Sequence, residues 1–233
     1  MVIWGLIPAR AGSKRIHRKN IKRLNGKPLI HWTIMAAQDS QIFEKIIIST
    51  DDHELMCMYR DMEYHQRPKE LAQDNSTDYE WIKHLFMKYE PLLPNCFAML
   101  RPTSPFRTAQ DIQIAWNIFQ NYPYADSLRA VKPSKEHPGK MWITKEDYIL
   151  PLMNYGFFND QYSYNSPTQL LPKYYIQCGA LEISYTRNVL FRRNVSGYRI
   201  IPYFMDEING FDVNTSLDFL FAEMLIEKGI VRL

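Results

Sequence analysis

"LIPARAGSKRIHRKNIKRLNGKPLIHWTI", residues 6 to 34, is the stretch whose reading decides the fold. Its apolar start closes a run from Val2 to Pro8 that reads as a buried strand. Arg10, Lys14, Arg15, His17, Arg18 and Lys19 follow, around the small trio Ala11-Gly12-Ser13. Pro28 then stands where a first-turn proline would, ahead of "LIHWTIMAAQ", whose apolar residues recur at helical spacing. Strand, loop and helix in this order predict an α/β layer, in which ligands collect beyond the carboxyl ends of the strands. A loop there that is both small and basic suits a polyphosphate. Gly12 and Ser13 let backbone N–H groups approach oxygen closely, and Lys14, Lys19 and the arginines neutralise charge. The G-x-x-x-x-G-K and G-x-G-x-x-G spacings are both absent.

The rest of the chain repeats the pattern. "KIIIST" (45–50) is a β-branched strand, and "DDHELMCMYRDM" reads as a helix with acidic residues in its first turn. In that position Asp51 and Asp52 are explained without a metal. "TDYEWIKHLFMKYE" is an amphipathic helix, with Thr77 and Glu80 at capping-box spacing. "CFAMLRPTSP" is a strand entering a proline turn, "TAQDIQIAWNIFQNY" a helix and "DSLRAVK" a strand. "YIQCGALEIS" and "YRIIPYFM" are further strands. "FDVNTSLDFLFAEMLIEKG" reads as a short strand, a cap and a helix, with Thr215 and Asp218 at capping-box spacing. The alternation predicts a mainly parallel sheet sandwiched by helices. Residues 133–173 break the rhythm with Pro133, Pro138, Pro151, Pro167 and Pro172 and many tyrosines. They read as an excursion from one domain spanning 1–233. Its aromatic content favours a packed element between subunits over a loose surface loop.

Composition narrows the function. The 233 residues are 46% apolar, enough for one sizeable core, and carry a formal charge of +3. That balance does not suggest a nucleic-acid binder. Cys57, Cys96 and Cys178 are widely spaced, with no CxxC pair, which fits a reducing cytoplasm rather than a disulfide framework or structural zinc. The opening apolar run is too short to span a membrane and lacks the basic region of a secretory signal.

Six blocks together resemble the acylneuraminate cytidylyltransferase family: the opening stretch, "IIISTDD", "RPKELAQDNSTD", "LRPTSPFRT", "EHPGK" and "FDVNTSLDFLFAEMLI". The resemblance implies a nucleotide-diphospho-sugar transferase-like fold and a homodimer in which the excursion reaches toward the partner. It also implies a reaction in which a sugar hydroxyl attacks the α-phosphate of CTP and pyrophosphate leaves. Arg10, Ala11, Gly12, Ser13, Lys19 and Asn20 fall on the family's nucleotide and triphosphate loop, and Arg67 on a second nucleotide block. Arg10, Lys19 and Asp212 are thereby cast as catalytic. Mg²⁺, with Mn²⁺ as an alternative, is the implied cofactor. The family's I-D-I-D-T block is "FDVNT" here, so Asp212 matches the first metal-binding aspartate and Asn214 replaces the second.

The sugar side departs furthest. Arg101 stands where a glutamine is usual, beside Thr103 and Ser104. The family's R-P-N-G-A-I-Y is "IQCGALE", which puts Ile176 for arginine, Cys178 for asparagine and Glu182 for tyrosine, with Gln177 and Gly179 between them. One cation is lost and one anion gained where a sugar carboxylate is expected. The leading expectation is CMP transfer to a sialic, legionaminic or pseudaminic type of acid. A hexose or hexosamine 1-phosphate used with GTP is the first alternative. A nucleotide-binding regulatory protein without catalysis is the second.

Overall fold

The computed structural model describes residues 1–153 and 163–233. The chain opens with β1 (Ile3–Pro8), a small ribbon of β2 (Arg23–Leu24) and β3 (Lys27–Pro28), and α1 (Leu29–Ser40). Next come β4 (Lys45–Thr50), α2 (His53–Met58), β5 (Glu63–Gln66), α3 (Asp78–Tyr89), β6 (Cys96–Met99), α4 (Ala109–Gln120) and β7 (Ser127–Pro133). A hairpin of β8 (Trp142–Lys145) and β9 (Tyr148–Pro151) precedes β10 (Tyr175–Tyr185), α5 (Thr186–Arg192), β11 (Ile200–Phe204) and α6 (Ser216–Glu227).

Seven strands form one sheet in the order β11-β7-β10-β6-β1-β4-β5. Every pairing is parallel except the two made by β10, which lies antiparallel between β6 and β7. The alternation of β1 explains the two helical layers. Ile3 and Ile7 face the core beneath α1 and α4, with Ile30, Ile34, Ile112 and Phe119. Trp4 and Leu6 face the core beneath α3 and α5, with Trp81, Leu85, Phe86 and Val189. Gly5 lies where a Cβ would stand 3.3 Å from the Phe43 ring, so the strand can carry no side chain there without shifting it. A third cluster fastens α6 to the opening segment through Leu24, Leu29, Phe106, Val213 and Phe219.

β10 is an interior strand, because β7 and β6 pair to either side of it. Three sequence expectations need correction. The helix after β4 stops at Met58, where the chain turns into β5. The sequence concealed β5 because only His65 of its four residues is buried. Pro28 ends β3 and occupies the cap position of α1 rather than its first turn. Phe211 to Asn214 forms no strand; it is held by Val213 N–H donating to the carbonyl of Thr103 at 2.7 Å. Both predicted capping boxes are present, and Thr108 with Asp111 adds a third at the start of α4. The excursion carries the β8–β9 hairpin and short turns; its stretch 154–162 lies outside the described residues. Among the described residues no helix is long and apolar enough to cross a membrane.

Candidate functional site

The parallel strands β1, β4 and β6 end at one edge of the sheet, where a cleft of about 310 Å³ opens. The loop after β1 forms one wall and is pinned from below. Ala9 N–H donates to Ser49 O at 2.9 Å, and Ala11 N–H donates to Asp51 Oδ1 at 2.8 Å. Asp51 therefore braces the basic loop, while Asp52 caps α2 by accepting from Glu54 and Leu55 N–H. Asn20 is buried and donates to the carbonyl of Arg10 at 3.0 Å, so its side chain shapes the loop. Gly12 has open space where a Cβ would stand, so contacts within the chain do not demand glycine there.

Four cations line the cleft: Arg10, Lys19, Arg67 and Arg101. Lys19 opens a short 3-10 turn and donates from Nζ to the carbonyl of Val213 at 3.2 Å, which draws the opening loop to the C-terminal block. Burial lowers its pKa and the charge of Asp212 opposes that shift. Arg67 is buried, and burial pushes it down to about 10 against the pull of Asp78 and Asp51. Burial likewise works against the charge of Arg101, but Asp78, Glu182 and Asp212 outweigh it and raise its pKa. Asp78 accepts from Arg101 at 2.6 Å and from Trp81 Nε1 at 2.9 Å. Arg10 pairs with Asp74 at 2.7 Å, and Lys14 pairs with the other oxygen of the same carboxylate. Asp74 thus engages two cations of the basic loop. Sequence reasoning had not singled out Asp74, Asp78 or Trp81, although Asp74 and Asp78 both lie within "RPKELAQDNSTD".

Asp212 lies beside these cations. Its Oδ2 accepts from Asn214 Nδ2 at 2.8 Å, while Oδ1 is buried without a partner among the described residues. A Cβ on Gly179 would stand 3.1 Å from Arg101 Cδ and 3.4 Å from Asp212 Oδ1, so glycine lets β10, Arg101 and Asp212 converge. No group of three or more metal-ligating side chains occurs among the described residues. One unsatisfied carboxylate oxygen fits a magnesium ion that takes its other ligands from water and substrate phosphates. Asn214 does not cap α6. Thr215 holds that place, and both backbone N–H groups, of Asn214 and Thr215, donate to Asp218. Thr103 lines the cleft, whereas Ser104 is fully buried with no partner for its hydroxyl among the described residues.

The structure redistributes the expected sugar residues. Cys178 is turned into the core, with Sγ 3.9 Å from Met205 Sδ, because strand alternation sends it and Ala180 beneath the sheet. Gln177 accepts from Arg129 Nη1 at 2.7 Å. Glu182 is 7% exposed and accepts from Arg129 Nη2 and Ser196 Oγ, each at 2.6 Å. The anion gained in this stretch therefore has its own cation, supplied by β7. That answers the charge conflict the sequence raised. Glu182→Gln is expected to destabilise the fold, since stranding one member of a buried ion pair costs about 3–5 kcal/mol. Arg129 keeps a quarter of its side chain exposed, so the lower end is expected. Denaturant melts check this, and Glu182→Leu combined with Arg129→Met should recover most of the loss. An unchanged melt of Glu182→Gln would contradict it.

Residues 4–138 match the cytidylyltransferase family. The chain is 31% identical to an N-acylneuraminate cytidylyltransferase of Escherichia coli over 228 residues, 97% of this chain and 52% of that protein. It is 30% identical to a CMP-N,N'-diacetyllegionaminic acid synthase of Legionella pneumophila, covering 97% of both. The chain thus spans about half the length of the Escherichia coli relative and nearly all of the Legionella one. Among solved structures, a CMP:2-keto-3-deoxy-manno-octonic acid synthetase complexed with CTP superposes with a TM-score of 0.73 at 14% identity, over 98% of this chain and 100% of that one. A 4-diphosphocytidyl-2C-methyl-D-erythritol synthase from Anaerococcus prevotii gives 0.65 at 10% identity, over 97% and 96%. Those two likenesses establish the nucleotidyltransferase fold. With the family match over more than half the chain, and relatives about 30% identical over nearly all of it, the chain belongs to the cytidylyltransferase family.

Proposed function

We propose that the protein transfers CMP from CTP to a nonulosonic acid of the sialic, legionaminic or pseudaminic type, releasing pyrophosphate. The observation that carries this reading is the convergence of Arg10, Lys19, Arg67 and Arg101 on one cleft at the carboxyl edge of the sheet. A triphosphate brings several negative charges, and this wall answers them. The sugar hydroxyl forms a bond to the α-phosphorus as the bond to the β-phosphate oxygen breaks. Transfer at phosphorus depends mainly on positioning and charge stabilisation. Arg10 and Lys19 hold the triphosphate and meet charge as it grows on the departing oxygen. Arg67, whose guanidinium lies 4.6 Å from the Trp81 ring centre, faces the nucleotide. Asp212 would hold Mg²⁺ or Mn²⁺, which when bound supplies further positive charge to the phosphates.

On the sugar side, Arg101 lines the cleft, Arg129 is taken up by Glu182, and Ile176 is exposed and uncharged. Because Glu182 is already paired, it offers little to a sugar ammonium. That weighs against a hexosamine 1-phosphate. The legionaminic-type relative, matched over 97% of its length, supports the nonulosonic reading. We also read the excursion as a dimer contact. Trp142, Ile143, Ile149 and Leu150 of its hairpin are exposed, as are Tyr175 and Phe204 beside it, and burying them in a partner would remove this apolar surface from water. A cytoplasmic site of action fits the two buried and one exposed free cysteines.

The test is a matrix of four nucleoside triphosphates against N-acetylneuraminic acid, legionaminic-type acids and glucosamine 1-phosphate, read as pyrophosphate release. CTP with a nonulosonic acid should lead the matrix by about 100-fold in kcat/KM, the scale of a discrimination based on hydrogen bonds and charge. A legionaminic-type acid should outrank N-acetylneuraminic acid. Efficient use of GTP with a sugar 1-phosphate would overturn the reading, and no turnover with any pair would favour a binding protein.

A further inference from the structure

Behind Arg67 the molecule holds a chain of hydrogen bonds to which the transfer reaction assigns no role. Arg67 Nε donates to Ser49 Oγ at 3.0 Å, and Nη2 donates to Ser49 O at 3.2 Å. Ser49 Oγ lies 2.8 Å from His65 Nδ1. His65 Nε2 lies 2.8 Å from His84 Nδ1. Ser49 and His65 are fully buried, whereas His84 is exposed on α3. The Arg67 guanidinium lies 4.6 Å from the Trp81 ring centre, and the His65 ring stacks on the same indole. The chain therefore links a cleft cation to the outer surface of α3.

One direction satisfies every donor and acceptor along it. A guanidinium only donates, so Ser49 Oγ accepts from Arg67 and its own hydrogen is available to His65 Nδ1. Burial pushes His65 down to about 3, with the charges of His84, Arg67 and Lys88 acting the same way. The ring is thus neutral and carries one hydrogen. With Nδ1 accepting, that hydrogen sits on Nε2 and is donated to His84 Nδ1. Each contact from Arg67 to His84 is then satisfied in one direction, and the arrangement requires a neutral His84, because an imidazolium has no acceptor.

Protonating His84 places two hydrogens in its contact with His65. Either that contact breaks and leaves His65 Nε2–H buried without an acceptor, or the His65 hydrogen moves to Nδ1. In the second case it points at Ser49 Oγ, and the serine hydrogen loses its acceptor. The first outcome leaves the ring that supports Ser49 with an unsatisfied hydrogen and the second leaves the serine itself with one, and an unsatisfied buried polar group is costly. Facing His84 are His65 from β5, Arg67 and Lys69 from the loop after it, and Lys88 one turn along α3. Glu80 stands four residues before it on the same helix.

We propose that His65 is a positioning residue for Arg67, and that His84 is a proton-sensitive latch coupling nucleotide affinity to pH. The proposal rests on the cleft being a nucleotide site, so one arm of its test uses no ligand. Spectra of the ligand-free protein with ¹⁵N-labelled histidine should show the His65 hydrogen on Nε2 at about pH 8. That signature should be lost or shifted to Nδ1 at about pH 5.5, across the range where histidine ordinarily changes charge. In calorimetry, affinity for CTP should fall about fivefold more in the parent than in His84→Gln over that interval, the scale of one hydrogen bond. Glutamine can present an acceptor to His65 at either pH. His84→Lys, a permanent donor, should bind CTP weakly at both. Titration of the CTP phosphates is common to all three proteins and cancels. In turnover, KM for CTP should carry the effect while kcat changes little. An Nδ1–H tautomer at about pH 8, or identical pH dependence in the parent and His84→Gln, would overturn the proposal. If no variant binds CTP at any pH, the nucleotide reading fails, and the histidine spectra alone decide the relay.

Discussion

Lys19→Ala is expected to lower kcat/KM at least about 100-fold, the loss seen when one donor to a developing oxyanion is removed. The magnitude follows from where the ammonium sits. It is half-buried, between the basic loop and Asp212, so solvent cannot replace it. Its contact with the Val213 carbonyl is a single hydrogen bond at 3.2 Å. Losing that bond costs the fold only about 1 kcal/mol, so the variant should remain folded. Lys19→Met, which keeps the side-chain length, separates charge from packing and should be as impaired as the alanine variant. The pH profile gives an independent reading. Burial lowers the Lys19 pKa, so its charged form is lost at lower pH than for an ordinary lysine. The parent rate should therefore begin to fall on the alkaline side below about pH 10.4. Pyrophosphate release across a pH series measures both. Retention of kcat/KM within about threefold in Lys19→Ala would mean that the loop is merely solvated.

Removal of the Asp212 carboxylate should have the second large effect. Its Oδ1 is buried with no partner among the described residues, although Lys19 and Arg101 lie close enough to feel its charge. A native chain that leaves such an oxygen bare has a use for it. Asp212→Asn is expected to slow turnover about 100-fold at low metal and to raise the Mg²⁺ concentration giving half-maximal rate. Asn214→Asp should lower that concentration by restoring a second carboxylate two positions along. Excess chelator should stop the parent, and added Mn²⁺ should restart it. A metal titration of the three proteins decides the matter; full parental activity in excess chelator would remove the metal from the account.

Much of the architecture was legible because it is written locally. β1, β4 and β6 show as apolar runs, and the capping boxes at Thr77 and Thr215 each lie within four consecutive residues. The basic loop was legible for the same reason: its charges follow a strand directly. β5 escaped notice because an edge strand with one buried residue has almost no apolar signature. The antiparallel insertion of β10 also left no local mark. Its direction follows from which neighbours it pairs with, and those lie about 40 to 90 residues earlier.

The candidate site divides the same way. Arg10, Lys19, Arg67 and Arg101 were found by residue type and block position, and the fold brings all four to one cleft. Their counter-charges could not be found so. Glu182 looked like an added anion in a sugar pocket, yet Arg129, 53 positions earlier, neutralises it. Cys178 looked like a substrate contact, yet the pleat of an interior strand turns it into the core. The Ser49–His65–His84 chain joins β4, β5 and α3, and no spacing rule links them. By itself the sequence determined the element types, the family blocks and the local charge of the opening loop, because periodicity and chain order encode what neighbouring residues do. The tertiary structure alone decided which charges stay available to a ligand and which are already paired. Ion pairing depends on a few ångströms between residues far apart in the chain, and only the folded sheet sets those distances.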